Sequence, residues 1–268
     1  MSRLAGKVAV VTGASANIGG AIAGALAAEG ARVVCTDIAE SVAAAAVDQI
    51  EAAGGQALAV AGDVTDPEHV DSVVAAALDA WGGIDILVNN AVWFNKKGLL
   101  QMPLADYRRQ LDVILGGAFL FTQAVARTMI DKKIGGSVIN VLSTAAWQGE
   151  PGNIGYSTGK SGLINFTRSA AMELAAYGIR VNGFTPTATL PDDEEVRAMI
   201  LAEPDAAAQY PMDFAGQFPL GRLPVPDDYT PTVVFLASDD ARMITGSNIT
   251  VDGGATAKYW PWRPGLSR

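Results

Sequence analysis

Tyr156-Ser157-Thr158-Gly159-Lys160 sets a phenol and an ammonium four residues apart. On a helix, positions i and i+4 share a face, so the two groups would point the same way. A tyrosine normally titrates near ~10, too high for a base at neutral pH, and a lysine cation beside it favours the tyrosinate and lowers that value. Ser143 ends an apolar run and could donate a hydrogen bond to the same substrate oxygen. A phenol that gives or takes a proton, steadied by a hydroxyl and a cation, suits alcohol–ketone interconversion. Taken alone, such a pair also arises by chance on a solvated helix.

A second chemical signal lies at the start of the chain. Val8 to Val11 is a short apolar run of the kind a buried parallel strand needs. The small-residue loop Thr12-Gly13-Ala14-Ser15-Ala16-Asn17-Ile18-Gly19 follows, and Ala21, Ile22, Ala25 and Leu26 then repeat at helical spacing. Strand, tight loop and helix N-terminus together make an anion site suited to the pyrophosphate of a dinucleotide. The spacing departs from Gly-x-Gly-x-x-Gly, so a plain structural turn is the competing reading. Asp37 closes the next apolar run, Val33 to Asp37, about 20 residues on, where a carboxylate can bind a ribose 2′-hydroxyl. It could instead cap the following helix.

The bulk composition narrows the function classes. Half of the 268 residues are hydrophobic, enough for a sizeable core, and the net charge of −9 disfavours nucleic acid or an anionic membrane surface as partner. No uninterrupted apolar stretch reads as long enough to span a bilayer. One cysteine, Cys35, excludes an internal disulfide and fits a reducing compartment. With no signal-peptide core in the first residues, a cytoplasmic enzyme is expected. The one histidine, His69, sits in the acidic helix start Asp66-Pro67-Glu68-His69 and reads as a surface residue, not part of a Ser-His-Asp triad. One His and one Cys give no ligand cluster, so no metal is expected.

The elements that must position these groups alternate. Strands are expected near 8–11, 33–37, 57–64, 84–88, 137–142, 179–184 and 249–252. Helices are expected near 41–53, 66–81, 104–133, 154–177 and 227–238. That alternation means a parallel sheet covered on both faces, in one domain over residues 1–268. Residues 187–225 are too long for a simple connector and read as a substrate lid with a helical piece at 194–201, or else as a surface excursion. The tail 255–268 carries Tyr259, Trp260 and Trp262, aromatics expected to pack on a neighbouring subunit or close a pocket.

Assembled, the pieces resemble the classical short-chain dehydrogenase/reductase family over nearly the whole chain. The matching residues are Thr12-Gly13 through Ile18-Gly19, Asp63-Val64, Asn89-Asn90-Ala91, Ser143, Tyr156 with Lys160, Arg180-Val181-Asn182, Pro186 and Asp252-Gly253-Gly254. The resemblance implies an α/β fold with a single Rossmann-like, doubly wound, seven-stranded parallel sheet flanked by helices on both faces. It implies Ser143, Tyr156 and Lys160 as the catalytic residues, with Lys160 also holding the nicotinamide ribose. It places the dinucleotide against Gly13, Ser15, Asn17, Ile18, Gly19, Asp37, Asp63, Val64, Asn90, Ala91, Tyr156, Lys160, Pro186, Thr187 and Thr189. It also implies a homotetramer or homodimer paired through the helices near 104–133 and 154–177.

Asp37 would repel a 2′-phosphate, and no Lys or Arg lies in the loop Ala14-Ser15-Ala16-Asn17, so NAD is expected over NADP. Trp93, Phe94 and Trp147 follow strand ends on the catalytic side and suggest, with Ser143, a pocket for an apolar or ring-bearing alcohol or ketone. The competing readings are an NADP(H)-dependent 3-ketoacyl-type reductase and a catalytically silent dinucleotide-binding protein. Four residues depart from the family pattern. Asn17 replaces a glycine and is expected to take a left-handed backbone. Val92 and Thr187 replace glycines beside the cofactor. Ile114 stands where the family has an asparagine, and its side chain cannot hydrogen-bond, so proton relay from the lysine must take another route.

Overall fold

The computed structural model describes residues 2–191, 195, 197–198 and 218–258. Most of the expected lid, including five of the eight residues of the helical piece at 194–201, and the aromatic part of the tail lie outside the described residues.

Seven strands form one parallel sheet: β1 (Val8–Thr12), β2 (Arg32–Asp37), β3 (Gln56–Ala61), β4 (Ile86–Asn89), β5 (Gly136–Val141), β6 (Ile179–Thr185) and β7 (Asn248–Thr250). Their order is β3-β2-β1-β4-β5-β6-β7. The order reverses between β1 and β4, and a parallel sheet opens a ligand crevice at the carboxyl ends of its strands at such a point. The helices are α1 (Ile18–Ala28), α2 (Glu40–Ala52), α3 (Pro67–Trp81), α4 (Leu104–Leu111), α5 (Gly117–Asp131), α6 (Ile154–Leu174) and α7 (Thr230–Ala237).

Side-chain alternation along β1 sorts the core into two layers. Ala9 and Val11 face a cluster with Ile22, Leu26, Ile50 and Val233, which brings α1, α2 and α7 onto one face. Val8 and Val10 face Val70, Val73, Phe121 and Met129, which brings α3 and α5 onto the other. In the edge strand β3 Ala57 alone is buried and the other residues are exposed or partly so, and the strand stops at Ala61, short of the expected residue 64.

Three expectations change. The long helix near 104–133 is broken: α4 runs into a π turn at Asp112–Gly116, which carries Ile114, before α5 begins. The run Leu104–Asp131 also has the length and apolar character of a membrane span, contrary to the sequence reading. Its apolar side chains, Phe121, Val125 and Met129 among them, pack against the sheet instead. His69 is buried, not on the surface. Its Nε2 lies 2.8 Å from the Thr36 hydroxyl and its ring meets Phe121 edge-on, because α3 turns this face toward β2. Burial holds its pKa below the usual histidine value, against the pull of Asp66 and Asp63. Cys35 is buried as expected, and burial pushes its thiol up to about 12.

Candidate active site

The loop after β1 is built by backbone contact. Gly13 has φ 66°, and a Cβ there would lie 2.8 Å from Ala91 Cα. A Cβ on Gly19 would lie 2.0 Å from the Gly13 carbonyl oxygen, so only a residue without a side chain lets α1 start this close to β1. Asn90 donates from Nδ2 to the same carbonyl at 2.8 Å, and the Asn90 and Ala91 amides donate to Thr12 Oγ1. Asn17 does not adopt the expected left-handed backbone. Its φ is −169°, ordinary extended geometry, and its Oδ1 accepts from the Ile18 amide to cap α1. A glycine is therefore not required at that position.

An open groove of about 200 Å³ runs along the strand ends above this loop. It is lined by Gly13, Ser15, Asn17, Ile18 and Gly19, by Asp37 at the end of β2, by Asn90 after β4, and by Tyr156, Lys160 and Pro186. A second space of about 100 Å³ adjoins it, sharing Gly13 and Asp37 and adding Asp63, Val64 and Ala91. A tight glycine loop at a helix start, a carboxylate at the next strand end and an open channel fit a dinucleotide. Asp37 serves its own loop as well: its Oδ1 accepts from the Ala39 amide at 3.2 Å. A larger cavity, about 460 Å³, lies at the amino ends of the strands among Lys7, Asp85 and Arg180, on the opposite side of the sheet from these strand ends.

The catalytic candidates converge on the far end of the groove. Ser143 follows β5 and is buried, with Oγ accepting from the Ala145 amide at 3.2 Å. Tyr156 and Lys160 occupy successive turns at the start of α6. The lysine is 2 % exposed, its Nζ donates to the Val141 carbonyl at 2.5 Å and lies 5.7 Å from the centre of the Tyr156 ring. A buried polar network fixes α6 against the sheet. Asn89 donates to Thr122 and Asn140, and Asn140 donates to Thr167 on α6.

The charge balance differs from the sequence expectation. Burial raises the Tyr156 phenol above its ordinary value, a hydrogen bond from Ser143 pulls it back, and Glu150 adds to the rise. Burial pushes Lys160 down to about 7. The lysine therefore does not hold the phenol below its usual range in this state. Desolvation is the leading cause at both groups, because both lie away from water.

The remaining candidates fall into distinct places. Phe94 packs edge-on against Tyr156, ring centres 4.9 Å apart. Trp93, expected beside substrate, lines the space shared with Asp37 and Asp63. Trp147 stands half-exposed after the turn Thr144–Ala146 and lines neither space. Thr187 and Thr189 are off the groove wall but tie the loop after β6. Thr144 donates to Thr187 Oγ1, and the Thr189 hydroxyl lies 2.8 Å from Tyr229 Oη. Val92 and Thr187 sit where the family has glycine without strain, since Lys133 alone among the described non-glycine residues has positive φ.

Two residues of α4 escaped the sequence reading. Arg109 forms an ion pair with Asp63 at 2.5 Å and donates to Thr65 Oγ1. Burial would raise the Asp63 carboxyl, but the bonds from Thr65 and Arg109 hold it below the usual range. Gln110 is fully buried beneath the loop bearing Trp93 and Asn95. Each contact spans distant parts of the chain, and neither residue has a local motif.

Comparison with known proteins agrees with this geometry. A family model described as enoyl-(acyl carrier protein) reductase matches residues 13–256. The chain is 41 % identical over 256 residues to a 3-oxoacyl-[acyl-carrier-protein] reductase of Synechocystis sp., covering 95 % of this chain and 98 % of that one. It is 38 % identical over 254 residues to galactitol 2-dehydrogenase of Agrobacterium fabrum, covering 94 % and 98 %. The crystal structure of a short-chain type dehydrogenase/reductase from Mycobacterium marinum superposes with a TM-score of 0.84 at 33 % identity, covering 95 % of this chain and 97 % of that one. On sequence, fold and the placing of its residues at the strand ends, the chain belongs to the short-chain dehydrogenase/reductase family of oxidoreductases.

Proposed function

We propose that the protein interconverts a secondary alcohol and a ketone with NAD(H), on an apolar, cyclic or aromatic small molecule. The observation that carries this reading is one groove wall: the glycine loop and Asp37 at one end, Tyr156 and Lys160 at the other. A bound nicotinamide would supply or accept the hydride.

Ser143 donates to the substrate oxygen and orients it. Tyr156 transfers the proton at that oxygen. A phenol kept neutral by burial is an acid poised for the alkoxide formed on ketone reduction. In the opposite direction the phenol must lose its proton, and the Lys160 ammonium then stabilises the phenolate across the short gap between them. Gly13, Ser15, Asn17, Ile18 and Gly19 bind the pyrophosphate. Asp63, Val64, Asn90 and Ala91 line the adenosine side and channel, and Pro186 passes the carboxamide on a loop that Thr187 and Thr189 tie in place.

NAD is preferred because Asp37 accepts from a ribose diol and repels a phosphate. Exposed Leu104 and Phe119, and Met172 on α6, suit a homotetrameric or homodimeric face. The reaction type, but not the apolar substrate class, also draws on the relative named galactitol 2-dehydrogenase.

A second reading, an NADP(H)-dependent 3-ketoacyl reductase, draws on the Synechocystis relative and on the Arg109 cation beside Asp37 in the adenosine space. The guanidinium is already engaged by Asp63 and Thr65, which weakens it as a phosphate ligand. Assays with NAD and NADP over cyclic, aromatic and aliphatic alcohols, and an acetoacetyl thioester, separate the two. Turnover of ring alcohols with NAD is expected. Thioester reduction with NADPH alone would favour the second reading, and binding of NADH without any turnover would leave a silent dinucleotide-binding protein.

A further inference from the structure

Gln110 lies at a junction that the reaction itself does not use. It is 0 % exposed, on the last turn of α4. Its Nε2 points at the carbonyls of Trp93 and Asn95, each at 3.4 Å, so one amide spans both ends of the residue pair flanking Phe94. Its Oε1 is buried without a protein partner and faces the first turn of α6. A Cβ on Gly155, the residue before Tyr156, would fall 2.0 Å from that oxygen and 3.3 Å from Gln110 Cβ. A fully buried side chain cannot swing aside to make room, so the loop, α4 and the catalytic turn meet at this one amide.

The flank of the loop is pinned independently. Asn95 Nδ2 and Lys97 Nζ both donate to Asp106 Oδ2, at 2.8 and 2.7 Å. The Lys97 backbone bridges to Asn153, the residue that opens α6, and Asn153 Nδ2 donates to Glu150. Held this way, the Phe94 and Tyr156 rings meet edge-to-face at an interplanar angle of 70°, with Phe94 half exposed and Lys96 Nζ 5.5 Å from its ring centre. Edge-to-face geometry is attractive only within a narrow range of ring separations, so the placing of the loop decides whether the contact forms.

We propose that Gln110 is a positioning residue that clamps the loop 93–95 to the catalytic turn of α6, so that Phe94 stands against Tyr156 and selects ketones by the size and flatness of the group they carry. The proposal deepens the functional reading above and rests on it for the word ketone. A ring-bearing substrate must lie along the open face of Phe94, whereas a small aliphatic ketone reaches Tyr156 without touching it. Loosening the clamp therefore changes discrimination and leaves dinucleotide binding and the proton-transfer groups as they were.

Two measurements test this. Gln110→Ala is expected to raise KM for acetophenone about tenfold while kcat/KM for 2-butanone and the NADH affinity stay within about twofold. An equal loss on both ketones would mark a merely structural role and overturn the proposal. Gln110→Met, which keeps bulk but loses the amide, should behave as Gln110→Ala. Retention of wild-type discrimination by Gln110→Met would remove the hydrogen bonds to the loop from the argument. The second measurement needs no turnover. Gly155→Ala should lower Tm in the wild-type background and lower it less in the Gln110→Ala background, because the obstructing oxygen is then gone and only the 3.3 Å contact with Cβ remains. The same loss in both backgrounds would show that Gln110 does not press on the catalytic turn. If the wild-type enzyme reduces neither ketone, the functional reading fails, and the thermal cycle still decides whether the clamp exists.

Discussion

The two ends of the groove are built by opposite means. The dinucleotide end is made of backbone: Gly13 and Gly19 let β1, α1 and the loop after β4 meet where no side chain fits, and Asn90 and Thr12 seal the contact. The proposed substrate end is made of side chains, with Phe94 partly exposed on a loop that distant residues hold in place. The first end depends on which atoms are missing and tolerates little change. The second depends on which atoms project and can be altered without unfolding the sheet. On the proposed reading, cofactor chemistry sits on the stiff end and substrate selectivity on the adaptable one.

Each end can be broken separately. The largest effect is expected from Tyr156→Phe, which keeps the ring and its contact with Phe94 but removes the titrating oxygen. The kcat should fall about 10³-fold with NADH affinity unchanged in a fluorescence titration. Gly19→Ala should weaken NADH binding by about a hundredfold, because overpacking against the Gly13 carbonyl costs about 3 kcal/mol. Wild-type affinity in that variant would mean that the stiff end has room to give. Asp37→Ala should move the NADP-to-NAD ratio of kcat/KM about tenfold toward NADP, since it removes one charge-assisted bond and one repulsion.

Stability against pH sharpens the contrast from another side. Lys160 has its folded pKa pushed below the ordinary lysine value of 10.5, to about 7. Between those two values the unfolded chain binds a proton that the folded chain does not, so stability rises as pH rises from about 7 toward 10.5. Below pH 7 the ammonium is buried in the folded state and its desolvation penalty is fully present. Lys160→Met should flatten this slope in a series of Tm measurements and be at least as stable as wild type at pH 6, while losing activity. A slope identical to wild type would mean that the lysine is not the group responsible. The smallest effect is expected from Ile114→Asn. It should shift the pH–rate profile by restoring a polar side chain beside α6, and an unchanged rate and profile would remove Ile114 from the proton relay.

The sequence was most readable where neighbours in the chain decide the structure. The apolar runs of β1, β2 and β5, the Pro67 helix start and the four-residue spacing of Tyr156 and Lys160 all act locally, and the structure places them close to expectation. Tertiary contact decided the rest. The π turn at Asp112–Gly116 lies inside a stretch whose composition reads as continuous helix. His69 has acidic neighbours in sequence, yet the buried face of α3 claims it. Trp93 follows a catalytic strand end, but the turn of its loop carries it to the adenosine side. Burial also reversed the expected sign at Tyr156, since the spacing of two residues says nothing about how much water surrounds them. Arg109 and Gln110 do their work on partners at Asp63 and Gly155, out of reach of any local pattern.

The most direct test of the account is a crystal structure with NAD bound. It should show the pyrophosphate at the Gly13–Gly19 loop, the adenosine ribose on Asp37, and C4 of the nicotinamide facing the Tyr156 hydroxyl with Ser143 on the same side. A dinucleotide seated elsewhere, or a phenol turned away from C4, would contradict it.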